Sequence, residues 1–281
     1  MTATLAERLA AATRQLDAVT ETPRLDAEIL LARVMGIPRA RLLARLRERS
    51  PAPGFAELVQ RRLAHEPLAY ILGEWEFFSL TFTVVPPLLV PRPETEHLVE
   101  VVLDAVKGTR ARVLDIGTGT GCVALAIAHN APLCRVVATD ISPLALATAS
   151  QNAARHGLED RIDLVAGDLF EAVGAEASPF DVICSNPPYV EQKAWDALPR
   201  VIRLHESATA LLAGEDGLGV IRRLVFEATA YLEPGGLLAF EIGEGQHEAV
   251  EALLRENNYE EIGFHRDLAG IRRIAQAKKR G

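Results

Sequence analysis

Four consecutive residues, Asn186-Pro187-Pro188-Tyr189, follow an apolar run at residues 180–184. The run predicts a buried strand, so the four stand at its exit. Proline has no N–H and a locked φ, which stiffens the backbone between a polar amide and an aromatic ring. The Asn186 side-chain oxygen and the Pro187 carbonyl can both accept hydrogen bonds from the NH2 of a planar amide or an aromatic amine. The Tyr189 ring can pack on the flat face of the same group. Such a cradle orients a weakly nucleophilic nitrogen for attack on a methyl group. A Pro-rich turn with Asn as its turn former would be spelled the same way, so the motif needs a companion.

The companion lies upstream. Val113-Leu114-Asp115-Ile116 reads as a strand and runs straight into Gly117, Thr118, Gly119, Thr120 and Gly121, with a helical pattern beyond. Glycines there let the backbone approach a ligand and take turn conformations closed to other residues. The next strand ends at Asp140, whose carboxylate can accept hydrogen bonds from both hydroxyls of a ribose. A third leads to Asp168 and Leu169, suited to meet an adenine amino group and to cover its ring. The G-x-G-x-G spacing departs from the G-x-G-x-x-G of dinucleotide binders, and no Lys-Ser/Thr pair follows to make a phosphate loop. S-adenosylmethionine, which has no phosphate, suits the loop better. Capping for Asp115 and a turn role for Asp168 are the bland alternatives. Loop and tetrapeptide together point to methyl transfer to an amino or amide nitrogen.

The elements that must position these groups follow from periodicity. Through about residue 70 the pattern is helical only, with stripes at Leu5/Leu9/Leu16, Leu25/Ile29/Leu30/Leu31, Leu42/Leu43/Leu46 and Leu58/Val59/Leu63. Arg39, Arg41, Arg45, Arg47, Arg49, Arg61 and Arg62 cluster there, as a solvated face or a docking surface. Residues 71–94 predict a short hairpin and a proline-punctuated connector. From 95 to 281 helices and strands alternate: helices at 96–106, 122–129, 144–156, 218–231 and 246–257, strands at 112–116, 135–139, 162–166, 180–185 and 236–242, and two more near Glu261 and Ile271. That alternation implies an α/β domain with a mostly parallel sheet covered on both faces, binding ligands at the carboxyl ends of its strands. The division expected is therefore a helical domain at 1–70, a connector at 71–94 and a catalytic domain at 95–281.

Bulk properties narrow the classes. The net charge of −8 argues against a general nucleic-acid binder. Cys122, Cys134 and Cys184 are scattered without metal-ligand spacing, as in a reducing compartment, and no metal is expected. No apolar stretch is long enough to span a bilayer and no signal pattern opens the chain, so a cytoplasmic protein, expected as a monomer, is the reading.

Asn-Pro-Pro-Tyr resembles the motif of DNA adenine N6 and cytosine N4 amino methyltransferases, so it does not choose the acceptor. The whole length resembles the HemK/PrmC family, the peptide-chain release factor N5-glutamine methyltransferases. The likeness is carried by Pro23-Arg24-Leu25-Asp26-Ala27-Glu28-Ile29-Leu30-Leu31, Glu66-Pro67-Leu68-Ala69-Tyr70-Ile71-Leu72-Gly73 and Val90-Pro91-Arg92-Pro93-Glu94-Thr95-Glu96. It continues through Leu114 to Cys122, Ser185 to Tyr189, and Phe240-Glu241-Ile242-Gly243 with Gln246. The first-domain and connector segments are the specific ones, because DNA methyltransferases lack them. The resemblance implies a Rossmann-like class I S-adenosylmethionine-dependent domain with a seven-stranded sheet, and a helical N-terminal domain that helps hold the substrate. That substrate would be the glutamine of the Gly-Gly-Gln loop in class I release factors, and S-adenosylhomocysteine the co-product. It also implies that Gly117 to Gly121, Asp140, Leu169 and Asn186 line the cofactor site while Asn186, Pro187, Pro188 and Tyr189 hold the glutamine. Two departures stand out: Leu169 replaces a residue often aromatic in relatives, and Leu204-His205-Glu206-Ser207 stands where Tyr-Glu-Pro would be expected.

The expected chemistry is direct in-line transfer from the sulfonium to the glutamine nitrogen. Asn186 Oδ1 and the Pro187 carbonyl would accept its N–H bonds and Tyr189 would pack on the amide plane. Those bonds strengthen as positive charge develops on nitrogen, so they favour the transition state. Arg92 and Glu94 would close the pocket, or Pro93-Glu94 would start a helix. No general base is assigned; His205 is read as a loop residue, and Glu241, at a strand end, as a group that orients the loop.

Overall fold

The structure, a computed structural model, describes residues 3–174 and 179–281. The chain divides into two compact units, Met1–Glu74 with Pro199–His205, and Trp75–Leu198 with Glu206–Gly281.

The first unit holds α1 (Leu5–Leu16), α2 (Pro23–Met35), α3 (Arg39–Ala44), α4 (Phe55–Leu63) and α5 (Leu68–Leu72). Helix α1 opens on a reciprocal cap: Thr4 Oγ1 accepts from the Glu7 N–H and the Glu7 carboxylate accepts from the Thr4 N–H. Pro23 starts α2, and Gly36, at φ +62°, ends it in the left-handed conformation glycine favours. The expected stripes are buried at Leu5, Leu9, Leu16, Leu30, Leu31, Leu42 and Val59. Leu25 and Leu43 are corrections to them, since both side chains are exposed. Their place in the unit's interior is taken by charge: Asp26 is buried against Arg62 at 2.7 Å, and Glu28 is held by Arg24 at 2.6 Å and Arg39 at 2.7 Å. Arg61 pairs with Glu66, and Arg45 with Glu48. Four of the clustered arginines thus hold the unit's own carboxylates.

The second unit begins within β1 (Glu74–Phe77), which is joined to β2 (Leu80–Thr83) by a two-residue turn in which Phe78 (φ +49°) and Ser79 (φ +62°) both adopt left-handed backbone. That geometry matches the twist of a hairpin but strains residues with a Cβ. The Phe78 N–H is held by the Glu96 carboxylate at 2.7 Å. There follow α6 (Glu96–Ala105), β3 (Arg112–Ile116), α7 (Cys122–Asn130), β4 (Arg135–Asp140), α8 (Pro143–His156), β5 (Ile162–Ala166) and β6 (Phe180–Ser185). A short helix α9 (Arg200–Arg203) falls in the first unit, and α10 (Gly219–Tyr231), β7 (Leu232–Glu241), α11 (His247–Glu256), β8 (Tyr259–Arg266) and β9 (Arg272–Lys279) complete the chain.

The large sheet has the order β5-β4-β3-β6-β7-β9-β8, parallel except that β9 runs antiparallel to both its neighbours. Alternate side chains feed two cores. Val113, Val182, Cys184 and Ala239 face the side covered by α6 and α7, while Leu114, Ile183, Leu238 and Phe240 face α10 and α11. Strand β7 starts earlier than the Pro234-Gly235-Gly236 sequence suggests, because Leu232 already pairs with Phe180 and the ladder absorbs the turn residues in a bulge.

Strand order reverses between β3 and β6, which makes the crevice beyond their carboxyl ends the place for a ligand. Register aligns the exits there. Ile116 pairs with Thr139 on one side and Ser185 on the other, Asp140 with Ala166, and Ser185 with Phe240. Gly117, Asp140, Gly167, Asn186 and Glu241 therefore stand along one edge of the sheet.

Candidate active site

A cavity of about 430 Å³ opens at that edge, walled by Gly117, Gly119, Asp140, Leu169, Asn186 and Pro187 among others. Thr118, Thr120, Asp168, Pro188 and Arg92, all expected at the site, also line it; Gly121, Glu94 and Tyr189 do not.

One half of the wall is mainly backbone. Gly117 and Gly119 take φ of +71° and +57°, and a Cβ on either would meet only open space. The N–H groups of Gly117 and Thr118 bond to the Thr139 carbonyl at 2.9 Å each. Gly119 N–H donates to Asp140 Oδ2 at 2.9 Å, and Ser142 N–H to Asp140 Oδ1 at 2.8 Å. A carboxylate offers about four lone-pair sites, so Asp140 keeps acceptor capacity for a ligand hydroxyl. Gly121 has a different task. A Cβ there would come within 3.0 Å of Ala149 Cβ on α8, so this glycine allows helix α7 to pack closely. Asp115 lies beneath the loop, fully buried, and accepts from Thr118 Oγ1 at 2.6 Å. Burial pushes its carboxyl up to about 6, against the pull of the Thr118 hydroxyl. The Thr139 hydroxyl is buried with no partner among the described residues. The Asp168 carboxylate meets Arg223 at 2.8 Å, so its charge is shared before any ligand arrives. Leu169 is nearly buried at φ +47°, a backbone strain placed on the cavity wall.

The other half is built from side chains of distant segments. Asn186 Nδ2 donates to Thr95 Oγ1 at 3.1 Å, and Thr95 Oγ1 donates to Glu241 Oε2 at 2.6 Å. Tyr189 Oη donates to Glu241 Oε1 at 2.9 Å. Thr95 and Glu241 are each 2% exposed. Burial raises the Glu241 carboxyl above the usual carboxylate range, opposed by the two hydroxyls and Arg273. Burial, then the Glu241 charge, likewise pushes the Tyr189 phenol well above its ordinary value. The Tyr189 ring thus serves as an anchor against the core beside the cavity, not as the cavity face expected from the tetrapeptide. Gln246 Nε2 bonds the Tyr189 carbonyl at 3.0 Å, while its Oε1 accepts from Gly243 N–H at 2.8 Å. Gly217 passes so close that a Cβ would stand 2.3 Å from the same carbonyl.

Arg92 lies on the cavity wall and clasps both oxygens of Glu206, at 2.7 and 2.6 Å. Glu206 is buried, so the segment that departs from the expected Tyr-Glu-Pro still delivers its carboxylate. His205 contacts the Ala64 carbonyl at 3.3 Å, within the first unit. Thr95, Glu206, Gly217 and Thr139 were given no role from sequence. Thr95 and Glu206 had a signal, the one in its place in the connector motif and the other as the Glu of the segment set against Tyr-Glu-Pro. Among the described residues no group of three or more His, Cys, Asp and Glu could hold a metal, and no helix is long and apolar enough to cross a membrane.

The chain matches the PrmC N-terminal domain model over residues 7–73 and the Methyltransferase small domain model over residues 94–217. It is 42% identical over 269 residues to the release factor glutamine methyltransferase of Rhodopirellula baltica, covering 92% of this chain and 90% of that protein. With that of Moorella thermoacetica it shares 44% over 257 residues, covering 90% of each. Among solved structures, the T. thermophilus 16S rRNA N2 G1207 methyltransferase in complex with AdoMet and guanosine is similar at TM-score 0.54 and 22% identity, over 74% of this chain and 50% of that one, a likeness of fold.

Proposed function

The chain belongs to the release factor glutamine methyltransferase family, and from that premise we propose that it methylates the side-chain nitrogen of the Gly-Gly-Gln glutamine in a class I release factor, using S-adenosylmethionine. The observation that carries the reading is the Asn186 amide. Its Nδ2 is engaged on Thr95, which leaves Oδ1 for a substrate N–H.

The residues on the cofactor half fit S-adenosylmethionine. Asp140 has lone pairs to spare for ribose hydroxyls, the Thr139 hydroxyl lacks a partner among the described residues, and Gly117 and Gly119 leave space where side chains would stand. Leu169 offers an apolar face to the adenine. When bound, the cofactor supplies an electrophilic methyl on a sulfonium. The protein's part is to hold the glutamine nitrogen in line with it. An amide nitrogen is a weak nucleophile because its lone pair is delocalised. Asn186 Oδ1 and the Pro187 carbonyl accept its two N–H bonds more strongly as nitrogen becomes positive. Orientation of this kind can supply roughly 7–11 kcal/mol of a barrier. The methylated nitrogen is acidic enough to release its proton without a dedicated base.

The test is mass spectrometry of a recombinant class I release factor after incubation with the protein and S-adenosylmethionine. One added methyl on the glutamine of Gly-Gly-Gln is expected. Methyl found in nucleic acid and none on that glutamine would replace this reading by that of a nucleic-acid amino methyltransferase.

A further inference from the structure

We propose that Thr95 and Glu241 are positioning residues for the transfer: the Glu241 carboxylate sets the direction of hydrogen bonding through Thr95, and so holds Asn186 with its amide oxygen toward the substrate nitrogen. The inference rests on the reading that Asn186 Oδ1 accepts a substrate N–H.

An Asn amide has nearly the same shape either way round, so packing alone does not choose its orientation. A source of polarity must. An ionised carboxylate only accepts hydrogen bonds, and a hydroxyl has one hydrogen. With Thr95 Oγ1 2.6 Å from Glu241 Oε2, that hydrogen points at the carboxylate. Only lone pairs remain on Oγ1, so the group facing it at 3.1 Å must be a donor, the Asn186 Nδ2. Inverted, Asn186 would set oxygen against oxygen at Thr95 and NH2 against the substrate's NH2. Tyr189 fills the other carboxylate oxygen, so Glu241 is satisfied as an acceptor on both sides. Its place is fixed by the sheet, because Ser185 pairs with Phe240 and the next residues of both strands are Asn186 and Glu241.

The device works only while Glu241 is ionised. A protonated or amidated residue there has a donor that can turn toward Thr95, reverse its hydroxyl and release Asn186. The groups around Glu241 divide on this point. Thr95, Tyr189 and Arg273, the last on β9, favour the carboxylate; burial and Glu94, in the turn before α6, oppose it. Arg92 acts on the Tyr189 end in the same sense as Arg273. Turnover should therefore fall on the acid side at a pH above the ordinary carboxylate range.

The experiment uses the full chain, a recombinant class I release factor and S-adenosylmethionine. Thr95→Val should lower kcat about tenfold to a hundredfold, less than loss of a directly contacting group. KM for the release factor and Kd for the cofactor should change little, and Thr95→Ser should retain most of the turnover. Thr95→Ala repeats the measurement without a methyl against the buried carboxylate. Glu241→Gln should lose turnover comparably and lose the acid limb, and the Thr95→Val/Glu241→Gln pair should be no worse than the poorer single variant, since both act through one orientation. Wild-type kcat in Thr95→Val and Glu241→Gln, beside an inactive Asn186→Ala, would overturn this inference alone. So would equal losses in Thr95→Ser and Thr95→Val with weakened cofactor binding, which is what a merely structural role predicts. Full turnover in Asn186→Ala would instead overturn the reading of Asn186 beneath it.

Discussion

The two halves of the cavity are built on different principles. On the cofactor half, the bonds that shape the glycine loop are mostly backbone, and Asp140 reaches it by taking the N–H of Gly119, 21 positions away; the Asp168–Arg223 pair is the exception. On the amide half the bonds are between side chains, spanning 91 residues from Thr95 to Asn186, 114 from Arg92 to Glu206 and 146 from Thr95 to Glu241. Backbone N–H and C=O groups have a fixed polarity, so a glycine-rich turn delivers donors in the right sense by conformation alone. Asn and Thr can bond either way round, and a cradle made of them needs a partner to choose. The first half can be built into a strand-turn-helix unit, whereas the second exists only after β6, β7 and the turn before α6 have come together.

Substitutions on the two halves should therefore separate binding from turnover. The largest effect is expected at Asn186. Asn186→Ala removes an acceptor that strengthens with charge on nitrogen, so kcat should fall about a hundredfold to a thousandfold. Kd for S-adenosylmethionine, by equilibrium dialysis, should stay within a few-fold. A matched loss of cofactor affinity would mean that the halves are not separable. Asp140→Ala should do the converse. Losing charge-assisted bonds of about 1.5–3 kcal/mol should raise Kd about tenfold to a hundredfold, while kcat at saturating cofactor is largely kept. Asp140→Asn sharpens the test. It keeps the size of the side chain but leaves an oxygen for only one of the Gly119 and Ser142 N–H groups, so a Kd near that of the wild type would mean that neither the charge nor the second oxygen serves the ligand.

The same contrast explains what was legible before the fold was known. The G-x-G-x-G loop, Asp140 and Leu169 reach the cavity from sequence because each sits at the end of its own strand, where local pattern suffices. Gly121, expected with them, is not on the cavity wall: it lies against Ala149 on α8, a close helix approach that the local pattern does not announce. Asn186 was legible for the same reason as Asp140, but the support beneath it was not. That Thr95 and Glu241 meet depends on β6 lying beside β7 and on the entry path of α6. The tetrapeptide alone makes the Tyr189 ring a substrate face, because nothing local places the Glu241 carboxylate beside its hydroxyl. In the first unit, hydrophobic periodicity placed Leu25 and Leu43 inside, and the buried Asp26–Arg62 pair shows why counting apolar letters fails where charge fills part of the interior.

The smallest expected effect concerns Asp115, which belongs to the cofactor half yet touches it from below. Its carboxyl goes from 3.8 to about 6 on burial, so between those values the folded state binds the proton more tightly than the unfolded chain does. Stability from this group is then greatest below about 3.8 and declines as pH rises to about 6, the opposite of a salt-bridged aspartate. Between pH 5 and 6.5 the decline should be about 1 kcal/mol. Burial raises the Glu241 carboxyl as well, a contribution of the same sign, so the measurable quantity is a difference. Urea midpoints of the protein and of Asp115→Asn, taken at both pH values, should converge toward the acid side and separate toward the neutral side in favour of the variant. Asn keeps an acceptor for the Thr118 hydroxyl but turns an NH2 toward other donors such as the Cys184 thiol, a cost that does not vary with pH over this range, so it is the change in the gap that isolates the charge. Parallel midpoints across the range would mean that Asp115 ionises as freely in the folded protein as outside it. The loop above would then stand on a carboxylate that stays charged across the whole of that range.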